Sequence, residues 1–279
     1  MKIYKQGGTA FILNDGRIHK TTGDWDQLVN RTNLHQRLLQ DCSGFEVISD
    51  LDLTGPFDPP VQSQELWASG VTYLRSREAR VAESKSAGGG DFYDRVYDAD
   101  RPELFFKAAA HRIVGHTGKV NIRRDSTWNV PEPELTLFIS SEGTIEGYTI
   151  GNDMSSRSIE GENPLYLPQA KTYDRSAALG PCLYVPVQPI SMHSAVSLSI
   201  LRDGKVEFQD TITLERMKRQ PLELADWLFR ELSFPHGCYL MTGTGIVPPD
   251  DFTLQQGDVV SIVIEGIGTL TNTIQQPTK

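Results

Sequence analysis

The stretch that most restricts the fold is 129–156, NVPEPELTLFISSEGTIEGYTIGNDMSS. Pro131 and Pro133 lack amide donors and push the residues before them into extended conformations. That excludes a helix and suits the entry or the edge of a strand. LTLFI then runs into SSEG, a turn, and TIEGYTI runs back. The reading is a long antiparallel hairpin in which opposed residue numbers sum to about 285. Glu132 and Glu134, two apart on an extended segment, project from one face, and the pairing brings Asp153 opposite Glu132. A slip of one residue would send Asp153 to the other face.

Three carboxylates crowded together repel one another and call for a counterion. Oxygen ligands with room for water and substrate suit a hard cation such as Mg²⁺. The alternative for Glu132 and Glu134 is a solvated strand edge.

Elsewhere the chain is rich in short strand-like runs, at 104–107, 120–123, 134–140, 144–151, 182–187, 195–202, 205–213 and 258–265. TAFILNDGRIHK and the RDGK at 202–205 read as hairpins with tight turns. LWASGVTY is strand-like and leads into a helical LRSREARVAESK. DWDQLVNRTNLHQRLLQD has helical spacing at Leu28, Leu34, Leu38 and Leu39, broken near Asn33. A helix starts at Pro221, with an apolar stripe of Leu222, Ala225, Leu228, Phe229 and Leu232. Nothing alternates as βαβα. The expected class is therefore mainly β with a few helices (α+β), a mixed and mostly antiparallel sheet. The Pro-rich 54–64 segment marks a boundary between a small N-terminal domain, 1–60, and a larger domain, 61–279. The long irregular 86–102 segment is a candidate lid or an insertion without order.

Acidic residues outnumber basic ones, 36 to 27, and the basic residues are scattered, which argues against nucleic acid. The three cysteines have no metal-binding spacing, no apolar run is long enough for a bilayer, and the N-terminus lacks a signal-peptide pattern. The expectation is a cytoplasmic protein without a membrane partner.

Four separated motifs, PEPELTLFI, GYTIGNDMSSR, KTYDRSAALGP and MTGTG, resemble the fumarylacetoacetate hydrolase superfamily in order and approximate spacing over roughly 65–270. The resemblance implies the C-terminal β-roll fold of that family and Mg²⁺ or Mn²⁺ held by Glu132, Glu134 and Asp153. It matches Lys171 to a lysine near the metal, either a proton-transfer group with a lowered pKa or a point charge for a substrate carboxylate. It matches Thr244 to a contact with the substrate's carboxylate end, in a turn where Gly243 and Gly245 permit close approach. Glu103, Phe105 and Lys107 share a face if extended, so Glu103 is either a general base or half of a cross-strand ion pair.

One departure matters. The family's hydrolases read Asn-Tyr-x-x-His, and aligned on Tyr73 this chain has Ser76 at the histidine's place. The usual pair that activates water is absent, and Ser76 and Arg77 become candidates for holding hydroxyl or carboxylate groups. The N-terminal unit and WASGVTYLRSREAR most resemble the family's 2-keto-3-deoxy-D-arabinonate dehydratase branch. This implies a metal-dependent dehydration of a 2-keto-3-deoxy sugar acid to 2,5-dioxopentanoate, with Glu103 or Lys171 as the base. Alternatives are hydrolysis of a 2,4-diketo acid, decarboxylation of a β-keto acid, or a metal-binding module without catalysis. The resemblance also implies a homodimer or homotetramer.

Overall fold

The computed structural model describes residues 1–84 and 95–278. In chain order the first part comprises β1 (Lys2–Gln6), β2 (Thr9–Asn14), β3 (Arg17–Thr22), α1 (Trp25–Val29), α2 (Leu34–Asp41) and β4 (Glu46–Ile48). There follow β5 (Glu65–Gly70), α3 (Leu74–Ser84), β6 (Glu103–Ala109), β7 (Ile113–Val114), β8 (Lys119–Asn121), β9 (Asn129–Ile139) and β10 (Ile145–Ser156). The chain ends with α4 (Arg157–Glu162), α5 (Leu167–Lys171), β11 (Ala177–Tyr184), β12 (Ala195–Arg202), β13 (Lys205–Thr213), α6 (Pro221–Phe229), β14 (Cys238–Met241), β15 (Val259–Ile264) and β16 (Gly268–Gln275).

The expected hairpin is the spine of the molecule. β9 and β10 pair antiparallel with Asp153 opposite Glu132, and Gly151 opposite Glu134. The ladder slips once, between Ile145 and Gly147, beside the turn and away from the carboxylates. β9 is buried along its whole length, so the solvated-edge alternative for its glutamates falls.

A large sheet runs β4-β3-β2-β1-β11-β10-β9-β14-β5-β6, with β7 added beside β11; a smaller sheet runs β13-β12-β15-β16-β8. Most pairs are antiparallel; β14 with β5, β11 with β7, and β16 with β8 are parallel. Leu135, Leu137 and Ile150 of the spine pack in one core with Val196, Leu198, Ile200, Val260, Ile262 and Leu270 of the small sheet. Phe138, on the other face, joins Trp25, Val29, Leu34 and Leu38 of the two N-terminal helices.

Residues 1–60, expected as a small unit, form β1 to β4 and two short helices, and β1 pairs with β11 so that both parts share the large sheet. The two hairpins have the expected turns. Asp15 and Gly16, then Asp203 and Gly204, all take positive φ between strands paired Asn14 to Arg17 and Arg202 to Lys205. Asn33, with φ 54, breaks the helix where expected.

Some expectations move. The buried face of α6 is Leu224, Ala225 and Leu228, while Leu222 and Leu232 are exposed. Leu222 precedes Leu224 by about 200° of helix rotation, and Leu232 lies beyond the last turn. β11 begins at Ala177, five residues before the expected run, and β14 and β16 arise where no strand was expected. Of the expected lid, residues 86–94 lie outside the described residues; 95–102 are held by Arg219, which donates to the carbonyls of Val96, Ala99 and Asp100.

Candidate active site

The hairpin brings Glu132, Glu134 and Asp153 together, one carboxylate oxygen of each lying within 4.8 Å of the others. All three are at least 95% buried: Glu132 is 5% exposed, Glu134 2% and Asp153 1%. Gly151, opposite Glu134, lets Thr136 and Met241 pack against the hairpin beside the trio. A Cβ there would stand 2.4 Å from Thr136 Oγ1 and 2.8 Å from Met241 Cε. Burial, with Asp153 and Glu132 beside it, pushes the Glu134 carboxyl well above its usual range. Burial acts the same way on Glu132, but the cations of Lys171 and Arg157 outweigh it and hold that carboxylate well below the usual range.

Around the trio stands a shell of buried cations. Lys171 Nζ, at the end of α5, donates to Glu132 Oε2 at 2.6 Å, Asp153 Oδ2 at 3.0 Å and Ser155 Oγ at 2.5 Å, and lies 3.4 Å from Glu160. Lys107 Nζ lies 2.5 Å from Asp153 Oδ1 and donates to the Met154 carbonyl. Arg157 Nη2 meets Glu132 Oε1 at 2.6 Å, and Arg80 Nη1 meets Glu160 Oε1 at 2.8 Å. Glu160 thus gathers Arg80, Arg157 and Lys171 around one carboxylate. Lys107 belongs to β6, four strands from β10 in the sheet order. Four flat strand spacings would span roughly 19 Å, beyond a lysine's reach. The sheet therefore curls, and the curl brings Lys107 to the trio.

The lowering of the Lys171 pKa was expected beside a metal cation; the protein's own groups act the other way. Burial does favour loss of the proton, but Asp153, Glu132 and Glu160 together outweigh it and raise the ammonium's pKa. Lys107 is the lysine whose pKa falls, because burial exceeds the pull of Asp153.

Glu103, Phe105 and Lys107 share a face as expected, but Lys107 pairs with Asp153 rather than with Glu103. The Glu103 carboxyl lies over Gly70, where a Cβ would come within 1.8 Å of Oε2. That oxygen is buried and has no hydrogen-bond partner among the described residues. Burial raises its pKa, with Arg80 and Lys171 pulling the other way. Lys171 Nζ sits 5.8 Å over the Phe105 ring, which walls the same space.

The TGTG turn enters through Gly243, whose N–H donates to Glu134 Oε2 at 2.5 Å. Thr244 is 4% exposed, its hydroxyl bonded to the carbonyl of Ile246 at 3.2 Å. Ser76 uses its hydroxyl at the head of α3, donating to the Tyr73 carbonyl at 2.8 Å and accepting from the Tyr73 N–H. The Arg77 guanidinium stands 5.1 Å from the Tyr97 ring. Three histidines have partners elsewhere: His116 with the Thr271 amide, His193 with Glu215 and His236 with Asp26.

Sequence reasoning missed Arg80, Arg157 and Glu160, and saw in Lys107 only a cross-strand partner. Arg157 stands inside GNDMSSR and could have been found there. Arg80 and Glu160 had no local signal, since their meeting depends on α3 packing against α4.

The donor set fits a hard divalent cation: three buried carboxylates in close range, one already fixed by a backbone N–H. Lys171 now neutralises one oxygen of Glu132 and one of Asp153.

Residues 71–275 match the family model described as fumarylacetoacetate (FAA) hydrolase C-terminal. A Haloferax volcanii protein named a probable 2-keto-3-deoxyxylonate dehydratase is 44% identical over 258 residues, 91% of this chain and 88% of that protein. The 2-dehydro-3-deoxy-D-arabinonate dehydratase of Saccharolobus solfataricus is 42% identical over 235 residues, 83% of this chain and 77% of that one. A solved structure of 2-keto-3-deoxy-D-arabinonate dehydratase complexed with magnesium and 2,5-dioxopentanoate superposes with a TM-score of 0.85 at 32% identity, covering 100% of this chain and 99% of that one.

Proposed function

The chain belongs to the fumarylacetoacetate hydrolase family, and from that premise we propose that it is a Mg²⁺-dependent hydro-lyase acting on a 2-keto-3-deoxy sugar acid. The reaction takes 2-keto-3-deoxy-D-arabinonate to 2,5-dioxopentanoate and water. The arabinonate and xylonate in the relatives' names describe one carbon frame. Once C2 is a ketone and C3 a methylene, only C4 keeps a configuration, and acids that share it are the same compound.

The observation that carries this reading is one buried cluster of charged groups. It joins the acidic trio, the Lys171 ammonium and a Glu103 carboxyl oxygen that has no hydrogen-bond partner among the described residues. Glu132, Glu134 and Asp153 would hold Mg²⁺, or Mn²⁺ in its place, and the ion supplies a Lewis acid that acidifies the C3 protons of a bound 2-keto acid. Glu103, Glu132, Glu134, Asp153 and Glu160 set five carboxylates against the four cations Arg80, Lys107, Arg157 and Lys171. The surplus negative charge favours a dication, and the site becomes neutral when a monoanionic acid joins it.

Glu103 is the base. Lys171 directs its three donors to Glu132, Asp153 and Ser155 and offers no lone pair, whereas Glu103 Oε2 is open. Glu103 takes a proton from C3. Lys171 holds its proton beside the site, and turning one N–H away from Ser155 would let it assist departure of the C4 hydroxyl as water. Loss of water leaves a C3=C4 double bond conjugated to the ketone. Once Glu103 has passed its proton back to Lys171, it takes a proton from C5 and returns it to C3; the C4=C5 enol so formed gains a proton at C4 as its O–H proton is lost, which gives the C5 aldehyde. Thr244 binds the carboxylate end of the substrate, and Ser76 and Arg77 border the end that carries the hydroxyls. Phe105 and the burial of the trio keep bulk water away.

A hydrolase on this site would need a group to activate water, and Ser76, at the histidine's position, already has its hydroxyl on the Tyr73 backbone. A silent metal-binding module leaves the open Glu103 carboxyl without a purpose. No helix among the described residues is long and apolar enough to cross a membrane. A cytoplasmic homodimer or homotetramer, and a division of the chain at 60/61, complete the proposal.

The test is product analysis. Protein and Mg²⁺ are incubated with 2-keto-3-deoxy-D-arabinonate and, separately, with a 2,4-diketo acid and a β-keto acid, and followed by NMR. The C5 aldehyde of 2,5-dioxopentanoate is expected only from the first. Cleavage of the diketo acid with the sugar acid untouched overturns the assignment.

A further inference from the structure

Two short stretches meet residue by residue behind Glu134. Val71, Thr72 and Tyr73 join β5 to α3; Thr242, Gly243, Thr244 and Gly245 follow β14. Thr72 Oγ1 donates to the Thr242 carbonyl at 2.6 Å, in a buried contact. It lies 2.0 Å from where a Cβ on Gly243 would stand, and Gly243 has φ +91. The Tyr73 ring covers Gly245 in the same way, 2.6 Å from that residue's absent Cβ. The carbonyl of Thr72 accepts from the Lys218 N–H at 2.9 Å, so the residue is held from both ends.

Val71 carries the strain of this arrangement. It has φ 56 and is 4% exposed. A β-branched residue in the left-handed region is unfavourable and persists only where its surroundings enforce it. The strained turn follows β5 directly and delivers Thr72 to the TGTG turn.

The carbonyl of Thr242 and the N–H of Gly243 belong to the same peptide group. That group is planar, with its oxygen and hydrogen on opposite sides, so its two ends cannot turn separately. One end is fixed by the Thr72 hydroxyl; the other donates to Glu134 Oε2. We infer that Thr72 is a positioning residue for Glu134: through this one peptide plane its hydroxyl sets the direction from which a proposed metal ligand is held. Outer groups that orient ligands in this way affect metal affinity as well as turnover. The inference rests on the reading of Glu134 as a ligand.

The test is Mn²⁺ titration by calorimetry, with no substrate present, on the full-length wild type and on Thr72→Val and Thr72→Ser. The valine keeps the shape and removes the donor; the serine keeps the donor. Thr72→Val is expected to weaken Mn²⁺ binding about tenfold, and Thr72→Ser to stay within about threefold of wild type. If the valine variant does not fold, Thr72→Ala removes the same hydroxyl without crowding Gly243 and is read in its place. Wild-type affinity in the variant lacking the hydroxyl overturns the inference, as does a loss that serine fails to restore. A wild-type protein that binds no divalent ion overturns the metal site itself, which separates the two failures.

Discussion

The two halves of the active site are built differently. The carboxylates Glu132, Glu134 and Asp153 come from one hairpin and lie within 22 residues of one another. The cations Arg80, Lys107, Arg157 and Lys171 come from α3, β6, α4 and α5; Arg157 directly follows β10, while Lys107 and Arg80 reach the trio or Glu160 only through the curl of the sheet and the packing of α3 on α4. The acidic half is fixed by strand register, a local property. The basic half is fixed by packing. Local pairing therefore makes the charge problem, and tertiary structure answers it.

The largest expected effect falls on the acidic half. Glu132→Gln or Asp153→Asn abolishes metal-dependent turnover while the circular dichroism spectrum stays native. Near-normal activity after metal is stripped and restored would break the assignment. Lys171→Met separates the halves. Turnover should fall by about 10²–10⁴, the usual worth of a proton-transfer group. Mn²⁺ binding should tighten, because the ammonium that neutralises Glu132 and Asp153 is gone. Parallel loss of both would merge the two halves into one.

Glu103 gives a pH signature. A base works when deprotonated, and burial raises this carboxyl's pKa. The low-pH limb of kcat should therefore rise with pH through a midpoint above the ordinary carboxylate range, and Glu103→Gln should remove that limb with a fall of about 10²–10⁴. A limb left unchanged in the variant would assign the base elsewhere.

Arg80→Met tests the outer part of the cation shell. Removing one partner of a buried ion pair usually costs about 3 kcal/mol or more; with Arg157 and Lys171 still facing Glu160, the low end is expected in urea unfolding. The smallest effect is Gly204→Ala in the β12–β13 turn. With φ +76 and open space around the new Cβ, it should cost about 1 kcal/mol and leave kcat unchanged. A large loss of activity there would show that the small sheet communicates with the site.

How much was legible depends on the reach of each interaction. Alternation and turn residues located β12 and β13, the Asp-Gly turns and the break at Asn33, because each is set within a few residues. β14 escaped notice because CYLM is a four-residue buried run without alternation, placed between strands far away in sequence. The α6 stripe was misplaced because Leu222 and Leu232 look apolar in sequence but face solvent in the fold. The hydroxyl of Ser76, expected as a substrate group, also caps the head of α3 on the Tyr73 backbone, a local bond that the reading of 73–77 did not include.

The sequence alone determined the hairpin and therefore the acidic trio. Prolines, a turn and a period of two centre the hairpin near 142–143, and that register sets Asp153 against Glu132. Only the tertiary structure decided what surrounds those acids: the lysine from β6, the arginine from α3, and the Gly243 N–H turned toward Glu134 by Thr72. These contacts join residues many tens of positions apart. Their geometry follows from the curl and packing of whole elements, which no local pattern encodes.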